Sequence, residues 1–185
     1  MAKSEKAKML ANEQYLNTDS EIALDRRHTR LLINEFNQVV KTDAAAGQKI
    51  LKQLFAKTGA KIDIQPDFHC DYGYTVEIGE NFFANYNCVL IDVGKITIGD
   101  NCLFGPGVHI YSVNHPLNPE LRNANYEFPK PVTIGNNVWI GGSAVIVPGV
   151  TLGDNVTVAA GAVVTKSFGN NVVIGGNPAR VLKAI

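Results

Sequence analysis

His115 is the residue of this 185-residue chain best suited to moving a proton. Imidazole titrates near neutral pH, and this one stands between Asn114 and Pro116, where an otherwise regular sequence pattern breaks off. The plain alternative is a histidine on a surface loop. His28 falls on a helix of mixed polarity and reads as solvated. His69 and His109 are ambiguous, although His109 has outward parity between Val108 and Ile110. Glu127 closes the stretch that His115 opens, and a carboxylate there can hold the second ring nitrogen and fix the tautomer. Its alternative is a solvated glutamate. Toward the C-terminus Lys166, Arg180 and Lys183 gather positive charge that suits phosphate groups, though each alone would be an ordinary surface cation.

The elements that position these groups follow from a period of six. Ile134, Ile140, Ile146, Leu152, Val158 and Val164 recur six residues apart, and two residues before each stands Val132, Val138, Ala144, Val150, Val156 or Ala162. Residues i and i+2 share one side of a strand, so every unit supplies one short strand and a turn. Gly135-Asn136-Asn137, Pro148-Gly149 and Gly153-Asp154-Asn155 supply the turns, with residues that accept positive φ. An amphipathic helix would need apolar positions every three to four residues. Such a repeat buries its inner face only by stacking on its neighbours, which predicts a parallel β-helix. Upstream, Val76/Ile78, Phe82/Ala84 and Cys88/Leu90, then Ile96/Ile98, Cys102/Phe104 and Val108/Ile110, continue the register, offset around Asp92-Val93-Gly94. Three columns are expected: Ile78, Ile98, Ile134, Leu152 and Ile174; Ala84, Phe104, Ile140 and Val158; Leu90, Ile110, Ile146 and Val164.

Residues 112–131 carry Pro116, Pro119, Pro129 and Pro131, which argue against a strand and for a loop thrown out from the helix. Residues 1–60 read as a helical segment, and 61–185 as the β-helix domain. A first helix runs from Ser4 to about Ala11 with Met9 and Leu10 inward. Thr18 to Glu21 matches a capping box before a helix with the stripe Ile22, Leu24, Leu31, Leu32, Phe36 and Val39. Asp43 caps a third, with Ile50, Leu51, Leu54 and Phe55 inward and Gly59 at its end. Asn177 and Pro178 suit the start of a short C-terminal helix. The 17 basic and 17 acidic residues cancel, so nothing predicts a nucleic-acid surface. No long apolar run or signal-peptide core is seen, which suggests a soluble cytoplasmic protein. Cys70, Cys88 and Cys102 form no Cys-x-x-Cys, and the latter two hold inward repeat positions as small core residues.

Five motifs carry a family likeness: Cys70 to Gly73, Phe82 to Asn85, Asn114-His115-Pro116, Ile134 to Gly142, and Gly176 to Arg180. With them the whole chain resembles the maltose and galactoside O-acetyltransferases of the hexapeptide-repeat acyltransferases, and leans to the maltose type at Asp71 and Glu127. The resemblance implies a left-handed parallel β-helix, a homotrimer with active sites between subunits, and transfer of an acetyl group from acetyl-CoA to a sugar hydroxyl. It casts His115 as general base, with Asn85 contacting the acceptor and stabilising the transition state. Asn17, Asp71, Asn85 and Asp92 are expected at the acceptor. Trp139, Gly142, Ala160, Thr165, Lys166, Arg180 and Lys183 are expected along the coenzyme, with the Gly142 N–H facing the oxyanion. Asn17, Val93 and Lys183 depart from the galactoside type, which bears on the sugar rather than the reaction.

Three alternatives stand beside this reading. The acceptor could be another hydroxylated or amino compound. A trimeric γ-carbonic-anhydrase-like metalloenzyme would use histidines such as His69, His109 and His115, but their spacing is not that family's, and no metal is expected. A non-catalytic assembly protein would have no need of Asn85 and His115 together.

Overall fold

The computed structural model describes residues 2–185. The hexapeptide period becomes a parallel β-helix of about six turns with three flat faces. The first face stacks strands Val76–Ile78, Ile96–Ile98, Val132–Ile134 and Thr151–Leu152. The second begins with Ile62–Ile64, Phe82–Ala84, Leu103–Phe104, Trp139–Ile140 and Val156–Val158, and the third runs His69–Cys70, Val89–Ile91, His109–Tyr111, Val145–Ile146 and Val163–Val164. Adjacent strands lie about 4.8 Å apart, so like residues stack. Ile78, Ile98, Ile134 and Leu152 fill one column, and Leu90, Ile110, Ile146 and Val164 another, all at 2% exposure or less. Cys88 and Cys102 are buried in the same core, as their register requires.

Ile174 leaves its expected column. It pairs with Val158 on the second face, while Phe168 bridges to Leu152 on the first. Phe168 comes four positions after Val164 instead of the regular six, so the chain turns that corner early and every later residue moves on by one face.

The corner between the first and second faces is held by side chains. Asn81, Asn101, Asn137, Asn155 and Asn171 all adopt φ between 55° and 59°. The side-chain amide of Asn137 donates to Asn155 at 3.0 Å, and that of Asn155 to Asn171 at 2.7 Å. Asparagine tolerates the left-handed region and bonds locally, so one residue type meets both demands at each corner.

The N-terminal segment forms α1 (Glu5–Leu10), α2 (Ser20–Val39) and α3 (Ala44–Leu54). Asp19, rather than Thr18, caps α2, and Asp43 caps α3 with 2.9 Å to the Ala46 N–H. α3 ends at Leu54, before Gly59. Met9, Ile22 and Phe36 are fully buried, but Leu10, Leu24 and Leu31 face solvent. The buried stripe of α2 contains Thr29 and Asn37 instead, because each bonds a backbone group of the first coil: Thr29 the Tyr72 carbonyl, Asn37 the Phe68 carbonyl and N–H. Main-chain bonds from Ala56 to Val76 and from Gly59 to Ile78 pair groups of the strand that would otherwise be an open edge.

The excursion at residues 112–131 is ordered. Val113–Asn114 and Tyr126–Pro129 pair antiparallel, α4 (Pro119–Asn123) lies between them, and Tyr15–Leu16 adds a third strand. Pro129 is accommodated at a strand end, where a missing N–H breaks little of the ladder. The expected C-terminal helix does not form. Val172–Gly176 and Ala179–Ala184 make an antiparallel hairpin, with Asn177 and Pro178 in its turn. The returning strand pairs the last strand of the second face, leaving fewer backbone groups open than a helix there would. Among the described residues no helix is long and apolar enough to cross a membrane.

Candidate active site

The corner between the third and first faces carries the acid and base groups. Asp71 to Thr75 turn it in the first coil, Asp92 to Gly94 in the second, and the whole excursion departs from it in the third. His115 stands on the excursion, with its side chain 52% exposed and its Nε2 3.8 Å from Oε1 of Glu127. Glu127 is almost enclosed. Its Oε2 accepts from the Tyr15 hydroxyl at 2.5 Å, and its Oε1 from the side-chain amide of Asn17. The expected meeting of the excursion's two ends therefore occurs, and it recruits the N-terminal segment as well.

Asp92 needs a correction as a substrate ligand. It is 0% exposed, and its oxygens accept from the N–H groups of Asp71, Tyr72 and Gly73 at 2.7, 3.0 and 2.7 Å, and from the Thr75 hydroxyl at 2.6 Å. Burial pushes its carboxyl up, against the pull of those donors. It touches no solvent and acts instead as the clamp that shapes the Asp71 turn. Gly73 completes that turn at φ +70°, with Leu54 only 2.6 Å from where a Cβ would stand. Asp71 remains half-buried at the surface. Burial and the neighbouring Asp92 push its carboxyl up to about 6, while Arg26 and Arg30 pull it down.

A second group stacks at the corner between the second and third faces. Asn85, Gly105, Gly141 and Ala159 follow one another there, with Gly142 and Ala160 the next residues of their coils: the Asn85 N–H donates to Phe104, Gly105 to Ile140 and Gly141 to Val158. The half-buried Asn85 side chain accepts from the Tyr86 N–H at 2.8 Å. Among the described residues the Gly142 N–H has no backbone acceptor, and its Cα faces Pro106, whose carbonyl lies 3.1 Å from a would-be Cβ. Trp139 stands outward beside this corner, 55% exposed, in register with Leu103 and Thr157. Arg180 and Lys183 are exposed on the final strand of the second face.

Within one chain these two groups remain apart. Asn85, Gly142 and Ala160 occupy one edge of the third face, whereas His115 and Glu127, together with Thr165 and Lys166, occupy the other. A strand of three residues and its flanking turns span roughly 15 Å. Along the face between them, Val89, His109, Val145 and Val163 point outward and are only partly covered.

His28 and His69 are exposed, and His109 bonds Tyr111 at 2.7 Å through Nδ1. Among the described residues no group of three or more His, Cys, Asp or Glu is placed to hold a metal ion. Spacing gave no signal for Tyr15, which meets Glu127 from 112 residues away, or for Arg26, which donates to the Asn17 carbonyl at 2.8 Å.

A coiled parallel sheet built on a six-residue period, with an excursion from one corner, is the fold of the hexapeptide-repeat proteins. Residues 8–59 match the maltose acetyltransferase hexapeptide capping motif, and residues 95–114 and 131–166 match the hexapeptide repeat of succinyl-transferase. A putative acetyltransferase of Dictyostelium discoideum is 50% identical over 182 residues, covering 98% of this chain and 95% of its own. A maltose O-acetyltransferase structure from Clostridium difficile superposes with a TM-score of 0.97 at 45% identity, covering 100% of this chain and 99% of the other. A hexapeptide-repeat acetyltransferase from Vibrio cholerae, solved with acetyl-CoA, gives 0.90 at 38% identity over 98% of both chains. The chain belongs to the maltose and galactoside O-acetyltransferase family, and its left-handed β-helix is that family's fold.

Proposed function

We propose that this acetyltransferase moves the acetyl group of acetyl-CoA to a hydroxyl of a maltose-, glucose- or galactoside-like sugar, with His115 as general base. The observation that carries the reading is the approach of the His115 ring to Glu127, 3.8 Å between Nε2 and Oε1, on a carboxylate already fixed by Tyr15 and Asn17. One ring nitrogen faces that carboxylate, and the other takes the hydroxyl proton as the oxygen attacks the thioester carbonyl. The tetrahedral oxyanion lies against the Gly142 N–H, with Asn85 holding the acceptor side. Collapse breaks the carbon–sulfur bond, and the imidazolium returns its proton to the departing thiolate.

The acceptor side is polar, with Asp71 accepting from sugar hydroxyls. The donor side is small and cationic. Gly142 and Ala160 leave room for the pantetheine arm beside Trp139, while Arg180 and Lys183 suit the phosphates. Because the two groups sit on opposite edges of one face lined by three valines and His109, a cyclic trimer that buries this face joins His115 of one subunit to Asn85 and Gly142 of the next. Thr165 and Lys166 then reach the coenzyme from the subunit that supplies His115. Use of acetyl-CoA fits a cytoplasmic enzyme. A panel of sugars, amino sugars and simple polyols, followed by thiol release from acetyl-CoA, tests the reading. Turnover with sugars in wild type and its loss in His115→Ala support it. Equal turnover in the variant removes the base.

A further inference from the structure

The N-terminal segment does more than cover a strand edge. Residues 15–16 form a short strand whose register sets Tyr15 opposite Glu127 and Leu16 opposite Tyr126. That strand is fastened along its length. The Leu16 N–H donates to the Glu5 carboxylate at 2.6 Å, the Asn17 N–H to the Asn125 carbonyl at 3.0 Å, and Arg26 to the Asn17 carbonyl at 2.8 Å. Tyr15 is 0% exposed in a small second core with Met9, Ile22, Tyr72 and Val93, so its ring has no freedom to swing away. From that position its hydroxyl points at one oxygen of Glu127, and Asn17 points at the other.

A glutamate side chain ending in a carboxylate turns easily about its last bond. Two donors, one on each oxygen, remove that freedom and leave a single direction from which Oε1 meets the His115 ring. We propose that Tyr15 and Asn17 are positioning residues for the acetyl-transfer step, acting through Glu127, so that the capping segment is part of the catalytic apparatus. Asn17, expected among the acceptor contacts, then commits one amide N–H to Glu127 and keeps the other N–H and its Oδ1 for a sugar. The inference rests on the reading of His115 as base and deepens it.

Tyr15→Phe keeps the ring in its core and removes only the hydroxyl, leaving Oε2 of Glu127 unpaired. The homogeneous variant should show kcat reduced about tenfold, with the KM for acetyl-CoA within about twofold of wild type. In a Glu127→Ala background the same change should cost nothing further, because positioning through Glu127 makes the two losses non-additive, whereas a purely structural loss would add. Asn17→Ala, at a half-buried site outside that core, repeats the test should Tyr15→Phe fail to fold. Wild-type kcat in the single variants, normal turnover by Glu127→Ala, or the full loss of Tyr15→Phe persisting in that background would each overturn the proposal. Failure of the base reading is seen separately, as turnover retained by His115→Ala.

Discussion

The Nε2 atom of His115 lies 3.8 Å from Oε1 of Glu127, although the two residues enter and leave a long excursion from the β-helix. The antiparallel pairing of Val113 with Pro129 and Asn114 with Phe128 closes that excursion and brings them together. Removing the imidazole with His115→Ala should lower kcat by about two to four powers of ten, the ordinary worth of a general base. The KM for acetyl-CoA should scarcely move. Stopped-flow or steady-state thiol release measures both, and near-normal kcat would take His115 out of the mechanism.

Subunit sharing has a quantitative signature. Chains carrying His115→Ala and chains carrying Asn85→Ala should each be inactive alone. Co-expressed with different tags and purified as mixed trimers, they should recover about a third of wild-type activity, since a head-to-tail ring of both chain types has one interface in three with His115 and Asn85 both intact. Light scattering should report a trimer at micromolar concentration. An active monomer, or mixtures as dead as their parents, would place the whole site within one chain.

Arg180 and Lys183 are exposed at the end of the second face, where a coenzyme phosphate held by them would be met in water. Arg180→Ala or Lys183→Ala should raise the KM for acetyl-CoA about three- to tenfold at low salt and by less at high salt, because exposed charges are screened. The kcat should stay the same, since remote binding of this kind serves ground and transition states alike. Wild type and variants with the same salt dependence would move the phosphates elsewhere.

Asp71 should give the enzyme a pH dependence of its own. Its carboxyl is pushed up to about 6 in the folded chain by burial and by Asp92. If the ionised form receives sugar hydroxyls, the acceptor KM should rise as pH falls through about 6, and Asp71→Asn should flatten that rise. For stability the sign is opposite to that of a salt-bridged aspartate. The native state binds this proton more tightly than the unfolded chain, whose aspartates titrate at about 4. The stability that Asp71 contributes therefore falls as pH rises through that window. The melting temperature of wild type minus that of Asp71→Asn should grow between pH 6 and about 4. A constant difference would show that Asp71 titrates like a free carboxylate.

The coil, its columns and its corners were legible in the linear chain because each rests on short-range rules. Strand parity puts Ile134 and Ile140 inside, and the left-handed turn calls for Asn137 and Asn155. The motif around His115 and the carboxylate at Glu127 were singled out by family resemblance and by their place at the two ends of one excursion, not by periodicity. Everything that depends on residues far apart in sequence was decided by the tertiary structure. Asp92 looked like a surface ligand until folding turned its carboxylate inward onto three N–H groups of the preceding coil. Thr29 and Asn37 lie outside the apolar stripe expected of α2, yet they are among its buried contacts, because the coil beneath them needed hydrogen-bond partners. Ile174 changed face because one corner was shorter than its predecessors, a difference in path that periodicity alone does not measure. Tyr15 had no pattern around it at all. Its place against Glu127 exists only once the capping segment has docked on the excursion, because a hydrogen bond between residues so distant in sequence is specified by the packing that brings them together.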